Sequence, residues 1–423
     1  MDQTRFVFIH LPGQAQAVPA GKLDMSTSRE GHFAGARFQY GNRYLQRQSA
    51  LAIDPVSLPL ADAKDRLLRP VNGLSMFGAI RDASPDAWGR RVIEKRLRAA
   101  GELPEWQYLD HAGSDRAGAL DIRRERDSAA APTHLPGPVE LQYLLQAADA
   151  IEAGGEVPAG LMHYFEGGPS MGGMRPKAVI EKAGRQFIAK FPSRSDTRFK
   201  VPAVERATME LARRAGLSVP ETDLVSMPDG RAVMLIERFD RVPIADGHQA
   251  RHHMVSALTM LGLYEMDSPS ASYSDIADAI SNRASPARVD TDRAELFGRM
   301  VFNILVNNND DHLRNHAFLW DGDGWVLSPL YDVVPSPTAA RDRDLHLRVG
   351  PRGRLARLDN AYEGAGKFKL KNDVALSIID RVHQVVRGWR GTFEDFGVSA
   401  ADCDAVAPAF RHSRELGADK LPL

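Results

Sequence analysis

The chain has 423 residues, enough for about two to four domains at roughly 150 residues each. Hydrophobic residues make up 43% and charged residues 26% of it, the composition of an ordinary globular protein that needs no disulfides to hold its core. Its 54 basic and 55 acidic residues give a net charge of −1, which excludes a strongly basic nucleic-acid binder and an acidic disordered tail but leaves local basic patches open.

The N-terminal part is predicted to contain short strands. We predict them over Arg5–His10 and Ala36–Leu45, and an apolar run ends in SLPL at Leu60. The first ten residues lack a basic segment followed by an apolar one, so we expect no signal peptide. No stretch approaches the ~18 apolar residues of a membrane helix, and we expect a cytoplasmic protein.

A helix is predicted over residues 86–99. Ser84 would supply its capping hydroxyl, Pro85 its first residue and Asp86 an acid in its first turn. The helix is rich in basic residues: Arg90, Arg91, Lys95, Arg96 and Arg98. They indicate either a solvated helix face or a patch that binds phosphate or nucleic acid, and the solvated face is the commoner case.

The central part is predicted to pair strands around one helix. Residues 128–138 are rich in Ala and Pro and are typical of a linker, and a helix is predicted near residues 140–153. Two hairpins are predicted over residues 178–191 and 223–238, the second across Pro228-Asp229-Gly230. Between them, small and apolar residues recur at helical spacing from Val204 to Ala215, and Gly216 would end that helix.

Beyond about residue 245 the pattern is mostly helical. One apolar helical face begins at Phe297 and another at Ala375, and a short hairpin over residues 317–327 interrupts them. Cys403 is the lone cysteine, so the chain cannot form an intrachain disulfide. It also cannot form a zinc site of four cysteines, or of two cysteines and two histidines, and a single cysteine favours a reducing compartment. We therefore expect three parts, with boundaries at 1–130, 138–244 and 245–423.

The segment NNNDDHLRN, residues 307–315, is the most informative motif. It follows an amphipathic helix and precedes the short hairpin, and Asp332 follows that hairpin. An Asp, an Asn five positions later and a second Asp past a hairpin form the pattern of kinase catalytic and metal loops. Phosphoryl transfer needs a carboxylate for the hydroxyl proton and oxygen ligands for Mg²⁺, although a polar loop that only caps a helix has similar residues.

Other kinase-like pieces precede this motif in the order that a kinase requires. Phe187-Ile188-Ala189-Lys190 resembles the strand that carries a phosphate-binding lysine, and Glu205 follows near the start of the next helix. Residues 235–238 are placed as a hinge, and the loop 170–177 contains the pair Gly172 and Gly173, which lets backbone amides approach phosphates. Alone, each piece is commonly a surface lysine, a helix-start acid or a turn; together they favour a kinase-like fold.

At these residues the sequence resembles the HipA family, the kinase toxins of bacterial toxin–antitoxin pairs. The resemblance covers nearly the whole chain. It is carried by these motifs: FQYGNRYL, SPDAWGRRVIEKRL, SMGGMRPKAVI, IAKFPS, LIERFDR, NNNDDHLRNHAFL and LSPLYDVVPS. It implies an α+β, bilobal protein-kinase-like fold with an N-terminal α/β subdomain, a strand-rich nucleotide lobe and an all-helical C-terminal lobe.

The resemblance also implies roles for individual residues. Asp310 would be the catalytic base, with Asn315 and Asp332 as metal ligands. The nucleotide would contact a further set: Lys190, Gly172, Gly173, Glu205 and, in the hinge, Glu237 and Phe239. Ser170 occupies the place of the autophosphorylated serine of the phosphate loop. Asp311 competes with Asp310 for the role of base, and His312 is either a loop-structuring residue or a second base.

The function implied is that of a serine/threonine protein kinase that uses ATP and Mg²⁺ and arrests growth. In the family the substrate is an aminoacyl-tRNA synthetase and the partner is a helix-turn-helix antitoxin, so we expect DNA contact only through that partner. Two alternatives stay open. The chain could serve mainly as an antitoxin-binding corepressor on operator DNA, or it could phosphorylate a small molecule, since an Asp and an Asn at this spacing also serve such enzymes.

Overall fold

The computed structural model describes residues 3–28, 33–131, 135–155, 173–245 and 248–422. These residues form two compact units, one of 1–193 with 237–264 and the other of 194–236 with 265–423. The strands are β1 (Gln3–His10), β2 (Ala17–Thr27), β3 (Phe33–Tyr40), β4 (Leu120–Arg123), β5 (Lys177–Lys182), β6 (Arg185–Lys190), β7 (Thr222–Ser226), β8 (Ala232–Glu237), β9 (Arg241–Pro243), β10 (Gln249–Arg251), β11 (Met254–Ser256), β12 (Ala317–Trp320) and β13 (Trp325–Leu327).

The helices vary from one turn to five turns. They are α1 (Asn42–Leu45), α2 (Gly78–Asp82), α3 (Ala87–Arg96), α4 (Glu105–His111), α5 (Leu141–Glu152), α6 (Val201–Arg214), α7 (Ala257–Leu261), α8 (Tyr273–Arg283), α9 (Val289–Val306), α10 (Leu358–Gly364), α11 (Asn372–Val386), α12 (Trp389–Asp395) and α13 (Ala400–Val406). Within the described ranges no helix is long and apolar enough to cross a membrane. The mixture of antiparallel strands and helices confirms the predicted α+β class.

The first unit is built on an antiparallel sheet with the order β3-β2-β1-β4. Val7, Leu23 and Phe38 are fully buried on it. Gly21 lies against the Phe38 ring so closely that an added Cβ would stand 2.3 Å from it, so the core requires glycine there. The predicted strand over residues 36–45 ends at Tyr40, because the chain turns into α1, and the long strand β2 was not predicted.

The start of α3 corrects the predicted cap. Asp86, not Ser84, is the N-cap, and its carboxylate accepts a hydrogen bond from the Gly89 amide at 2.9 Å. Ser84 is buried and donates instead to the carbonyl of Ile80 at 2.8 Å. The helix itself confirms the prediction, and so does α5. Residues 132–134 of the predicted linker lie outside the described residues.

The hairpin of β5 and β6 in the first unit confirms the prediction for that segment. Its strands pair from Lys177 opposite Lys190 to Lys182 opposite Arg185. The two turn residues both have positive φ, 53° at Ala183 and 73° at Gly184, as a tight two-residue hairpin turn requires. The β9–β10 pair further along this unit was not predicted.

The second unit confirms the predicted helices and hairpins of that part of the sequence. Gly216 follows α6 with φ of 77°, a left-handed conformation that stops the helix. The long helix α9 packs against α8 and α11, and its Phe297 ring meets Phe368 edge-on at 5.2 Å. The hairpin of β12 and β13 has the predicted bounds. The three-part division of the chain stays a prediction.

Candidate active site

The loop of residues 307–315 begins where α9 ends. Asn307 takes a left-handed backbone with φ of 52°, which turns the chain out of the helix. Its amide group donates to the carbonyl of Ser336, and the Ser336 amide donates back to the Asn307 carbonyl at 3.0 Å. Two hydrogen bonds between Asn307 and Ser336 therefore hold the start of the loop in place.

Asp310 and Asn315 are joined within this loop. The Asn315 side-chain nitrogen donates to the backbone carbonyl of Asp310 at 2.7 Å. That bond leaves the amide oxygen of Asn315 buried without a hydrogen-bond partner, while the Asp310 side chain is 76% exposed. The loop thus carries an exposed carboxylate and a buried amide oxygen that has no hydrogen-bond partner.

The competing carboxylate, Asp311, has the opposite environment. It is buried, and its two oxygens accept from the Tyr273 hydroxyl at 2.6 Å and from the His346 amide at 2.7 Å. Burial raises the pKa of Asp311 to about 6. Because both oxygens already have partners, this geometry favours Asp310 over Asp311 as the group that meets a substrate.

His312 directly follows the two aspartates in the loop. Its Nε2 atom is 3.9 Å from an oxygen of Asp310, and its ring meets the His346 ring edge-on at 5.8 Å. The ring is half-buried in packing contacts of the loop. These contacts favour the loop-structuring role over that of a second base.

Asp332 is carried by a second loop that is tied to the first. It has φ of 58°, a left-handed backbone that is rare outside glycine and is often found at functional sites. Next to it, the Tyr331 hydroxyl donates to the carbonyl of Arg314 at 2.6 Å, and Ser336 donates to the side chain of Asn309 at 2.7 Å. Three of the predicted residues, Asp310, Asn315 and Asp332, therefore lie on two hydrogen-bonded loops of one unit.

The donor set of these loops fits Mg²⁺. Magnesium is usually held by one or two carboxylates, water and substrate phosphates, and it prefers oxygen ligands. The buried amide oxygen of Asn315 is an acceptor that the protein itself leaves unused. Within the described part of the chain no group of three or more His, Cys, Asp or Glu side chains could hold a metal, so a cation here would depend on Asn315 and Asp332 together with phosphate oxygens.

Lys190 and Glu205 belong to different units. Lys190 is the last residue of β6 and is half-buried in the first unit. Glu205 is almost fully buried in the second turn of α6, in the second unit. The predicted support of Lys190 by Glu205 stays a prediction.

Only the end of the predicted phosphate loop can be described. Ser170 and Gly172 lie outside the described residues, whereas Gly173 has φ of 111°. The buried Lys177 ammonium lies 2.5 Å from a carboxylate oxygen of Asp86 and 3.5 Å from the Gly173 carbonyl. Sequence reasoning gave Lys177 no role, because nothing local distinguishes a buried lysine from an exposed one.

The predicted hinge residues lie beside a buried ionic cluster. Glu237 pairs with Arg185 at 3.2 Å, and Phe239 is half-buried. Between them, the fully buried Arg238 binds Asp115 and Asp240, each at 2.9 Å. This segment belongs to the LIERFDR motif, but the cluster was not predicted, because Asp115 lies 123 residues from Arg238.

The basic helix α3 uses several of its charges inside the first unit. Arg90 binds Glu105 at 2.8 Å, Lys95 donates to the Gly154 carbonyl at 2.7 Å and Arg96 donates to the His111 carbonyl at 2.9 Å. These bonds occupy three of the four basic residues of α3. They favour a structural role for this face over a nucleic-acid patch.

Two family models match the chain. Residues 15–123 match the HipA N-terminal domain, and residues 169–389 match the HipA-like C-terminal domain. The chain belongs to the HipA family. This confirms the resemblance given by the motifs.

Curated relatives of this HipA-family chain carry kinase names. Y4mE of Sinorhizobium fredii, a protein named as a presumed kinase, is 27% identical over 313 residues, which is 69% of this chain and 72% of Y4mE. The serine/threonine-protein kinase toxin HipA of Shewanella oneidensis is 27% identical over 195 residues, 41% of this chain and 45% of the toxin. The family therefore includes proteins named as kinases, one of which is named as a toxin.

A solved structure shows the same fold. It is a chain of the complex of HipA, HipB and operator DNA from a Shewanella oneidensis toxin–antitoxin system, with a TM-score of 0.67 and 18% sequence identity. The match covers 97% of this chain and 95% of the other. It confirms the predicted HipA fold.

Proposed function

We propose that this chain is a serine/threonine protein kinase that uses ATP and Mg²⁺. The observation that carries the proposal is the pairing of an exposed Asp310 with a buried Asn315 whose amide oxygen has no partner, on a loop bonded to the loop of Asp332. An exposed carboxylate can orient a hydroxyl and take its proton, and amide and carboxylate oxygens can hold a divalent cation. The kinase names of the relatives support this assignment.

Each residue has one task in this proposal. Asp310 receives the proton of the acceptor hydroxyl, and Asn315 and Asp332 hold the cation. Bound Mg²⁺ and ATP would supply the phosphoryl group and neutralise its charge. The remaining nucleotide contacts are assigned to Lys190 with Glu205 behind it, to Gly172 and Gly173, and to the segment of Glu237 and Phe239.

The substitution Asp310→Asn tests the proposed base. It keeps the size of the side chain and removes the proton acceptor, so transfer of labelled phosphate from ATP to protein should fall by roughly 100-fold or more. The exposed Asp404→Asn is the matched control and should transfer label like the unchanged chain. Undiminished transfer by Asp310→Asn would contradict the assignment, and label on a small molecule instead of protein would favour a small-molecule phosphotransferase.

We also propose that the kinase is a growth-inhibiting toxin that acts on an aminoacyl-tRNA synthetase or a similar translation protein, and that a helix-turn-helix antitoxin restrains it. The toxin name of the Shewanella oneidensis relative and the solved complex of HipA from the same organism with HipB and operator DNA support this. Expression in a bacterial host should arrest growth, and Asp310→Asn should not. Phosphopeptides gained by the host proteome would identify the substrate, and normal growth with full expression would oppose the toxin role.

Autophosphorylation of Ser170 is the proposed regulation. A phosphate there adds roughly −1.5 to −2 charges beside a loop that must itself approach phosphates. Mass spectrometry after incubation with ATP should find phosphate on Ser170, and Ser170→Asp should bind ATP more weakly than the unchanged chain. Equal ATP binding by the two would refute this regulation.

A further inference from the structure

The buried carboxylate of Asp311 anchors the loop that carries Asp310. Only 1% of Asp311 is exposed, and it accepts from Tyr273 on α8 and from the backbone of His346. Tyr273 is fully buried and lies 38 residues away in sequence, and His346 lies 35 residues away. One side chain thus bonds the loop to a helix before it and to a segment after it.

Three side-chain hydrogen bonds form a line that ends at Asp311, and each residue in the line donates to the next. Asn308 donates to the side-chain oxygen of Asn303 at 3.1 Å, and Asn303 donates to the Tyr273 oxygen at 2.8 Å. Tyr273 in turn donates its proton to Asp311 at 2.6 Å. The line begins at a residue two positions before Asp310 and ends at the residue directly after it.

This direction depends on the charge of its last member. An ionised carboxylate only accepts hydrogen bonds, so Tyr273 must donate to it and can then accept from Asn303. A protonated Asp311 carries a donor of its own and competes with Tyr273 for the role of donor. The complete line therefore adds side-chain hydrogen bonds on both flanks of Asp310, and protonation of Asp311 weakens them.

We infer that Asp311 and Tyr273 are the positioning residues that hold the loop of Asp310 in its productive geometry. The effect on activity rests on the proposed function. The effect on the order of the loop does not, and it can be measured in a protein that has no activity. Neither side chain takes part in the chemistry. They act by keeping the backbone of residues 308–311 in place, and a small displacement of a reacting group is enough to slow an enzyme strongly.

The charges around Asp311 give the inference a pH dependence. Burial raises the pKa of Asp311 to about 6, the neighbouring Asp310 carboxylate acts in the same direction, and the Tyr273 hydrogen bond opposes both. On the side of α9, Arg299 faces the same tyrosine, and the buried His316 meets the Tyr273 ring edge-on at 5.4 Å. The half-buried His346 contributes its amide, and its ring meets that of His312 at 5.8 Å. Activity should therefore fall as the pH is lowered through about 6.

Two substitutions test the inference, with Tyr362→Phe, a half-buried tyrosine on α10, as the matched control. Tyr273→Phe removes the donor to Asp311, and Asp311→Asn removes the charge. For both, kcat should fall roughly 10- to 100-fold with little change in the KM for ATP. The fall of kcat near pH 6 should move to higher pH in Tyr273→Phe and should be absent near that pH in Asp311→Asn, and the control should keep the profile of the unchanged chain.

Hydrogen exchange separates this inference from the proposed function. The amides of residues 307–315 and of His346 should exchange faster in both variants, while α9 and α11 remain protected. This result would support the anchoring even if the protein phosphorylated nothing, in which case the proposed function alone would fail. Unchanged exchange of the loop, or an unchanged kcat and pH profile in an active enzyme, would overturn the inference. Faster exchange throughout the second unit would also overturn it, because the residues would then serve overall stability.

Discussion

Two adjacent aspartates in this chain have opposite environments. Asp310 has a side chain that is 76% exposed, whereas only 1% of Asp311 is exposed and both of its oxygens accept hydrogen bonds. Buried charge also occurs in the first unit, where the ammonium of Lys177 and the carboxylate of Asp86 are both buried and lie 2.5 Å apart. A buried charge needs an opposite charge or hydrogen bonds to replace its lost hydration, and Lys177 and Asp86 supply this to each other.

Asp86→Asn should destabilise the first unit by about 3 kcal/mol. Asparagine keeps the cap on α3, so the loss isolates the charge that balances Lys177. The double variant Asp86→Asn with Lys177→Met should recover part of the stability, because no buried charge is then left unpaired. Urea unfolding measures each step, and Asp229→Asn, which removes an exposed ion pair with Arg231, is the control and should leave the free energy of unfolding almost unchanged. A cost as small for Asp86→Asn would show that Lys177 finds other partners.

At the scale of elements, the segment that follows the loop of Asp332 is held by the last part of the described chain. Arg343 donates to the carbonyls of Ala409 at 2.8 Å, Pro408 at 2.6 Å and Thr338 at 2.8 Å. Leu358 at the start of α10 donates to the Leu416 carbonyl at 2.8 Å. Three carbonyls from two segments converge on one guanidinium, so the segment from Thr338 to Leu358 keeps its position through contacts with residues 408–416.

Arg343→Ala should loosen these two segments together. The loss of three charged hydrogen bonds from a mostly buried side chain should cost about 3 kcal/mol. Hydrogen exchange should then accelerate in residues 338–357 and 407–416 but not in α11. Arg390→Ala on α12, which removes a partly exposed ion pair with Asp404, is the control and should leave exchange unchanged. Faster exchange in only one of the two segments would mean that Arg343 does not join them.

At the scale of the whole molecule, the first unit contains histidines that must stay neutral. Burial lowers the pKa of His253 to about 4, and burial with the nearby Arg251 and Arg241 lowers the pKa of His10 to about 3. His253 is fully buried and is 2.7 Å from the carbonyl of Ile53. Because the unfolded chain binds a proton at about pH 6.5 and the folded chain does not, the free energy of unfolding falls as the pH drops below 6.5.

His253→Gln should weaken this acid sensitivity. From pH 7 to pH 5 the free energy of unfolding should fall, and the neutral His253 should account for about 2 kcal/mol of that fall. In the variant the fall over the same pH range should therefore be smaller by about 2 kcal/mol. Urea unfolding of both proteins at the two pH values measures the difference, with the exposed His412→Gln as control. Equal slopes for His253→Gln and the unchanged chain would mean that His253 is protonated in the folded protein.

The sequence by itself determined those features that depend on neighbours along the chain. The β12–β13 hairpin, the stop at Gly216 and the spacing from Asp310 to Asn315 are local patterns of turn residues, apolar periodicity and loop length. Family motifs added the α+β HipA fold, which the fold comparison confirmed. The local pattern was wrong at the start of α3, where Asp86 and not Ser84 is the cap. Ser84 is buried and donates to the Ile80 carbonyl instead.

Only the tertiary structure decided which polar residues are buried and what they bind. Asp311, Lys177 and Arg238 each have a partner that lies 38, 91 and 123 residues away, respectively, so no short window of sequence contains both members of these pairs. The role of Asp311 followed from this, since two adjacent aspartates are equivalent as letters until the fold exposes one and encloses the other. Burial changes the cost of a charge and the number of hydrogen bonds it must make, and burial is a property of the packed chain.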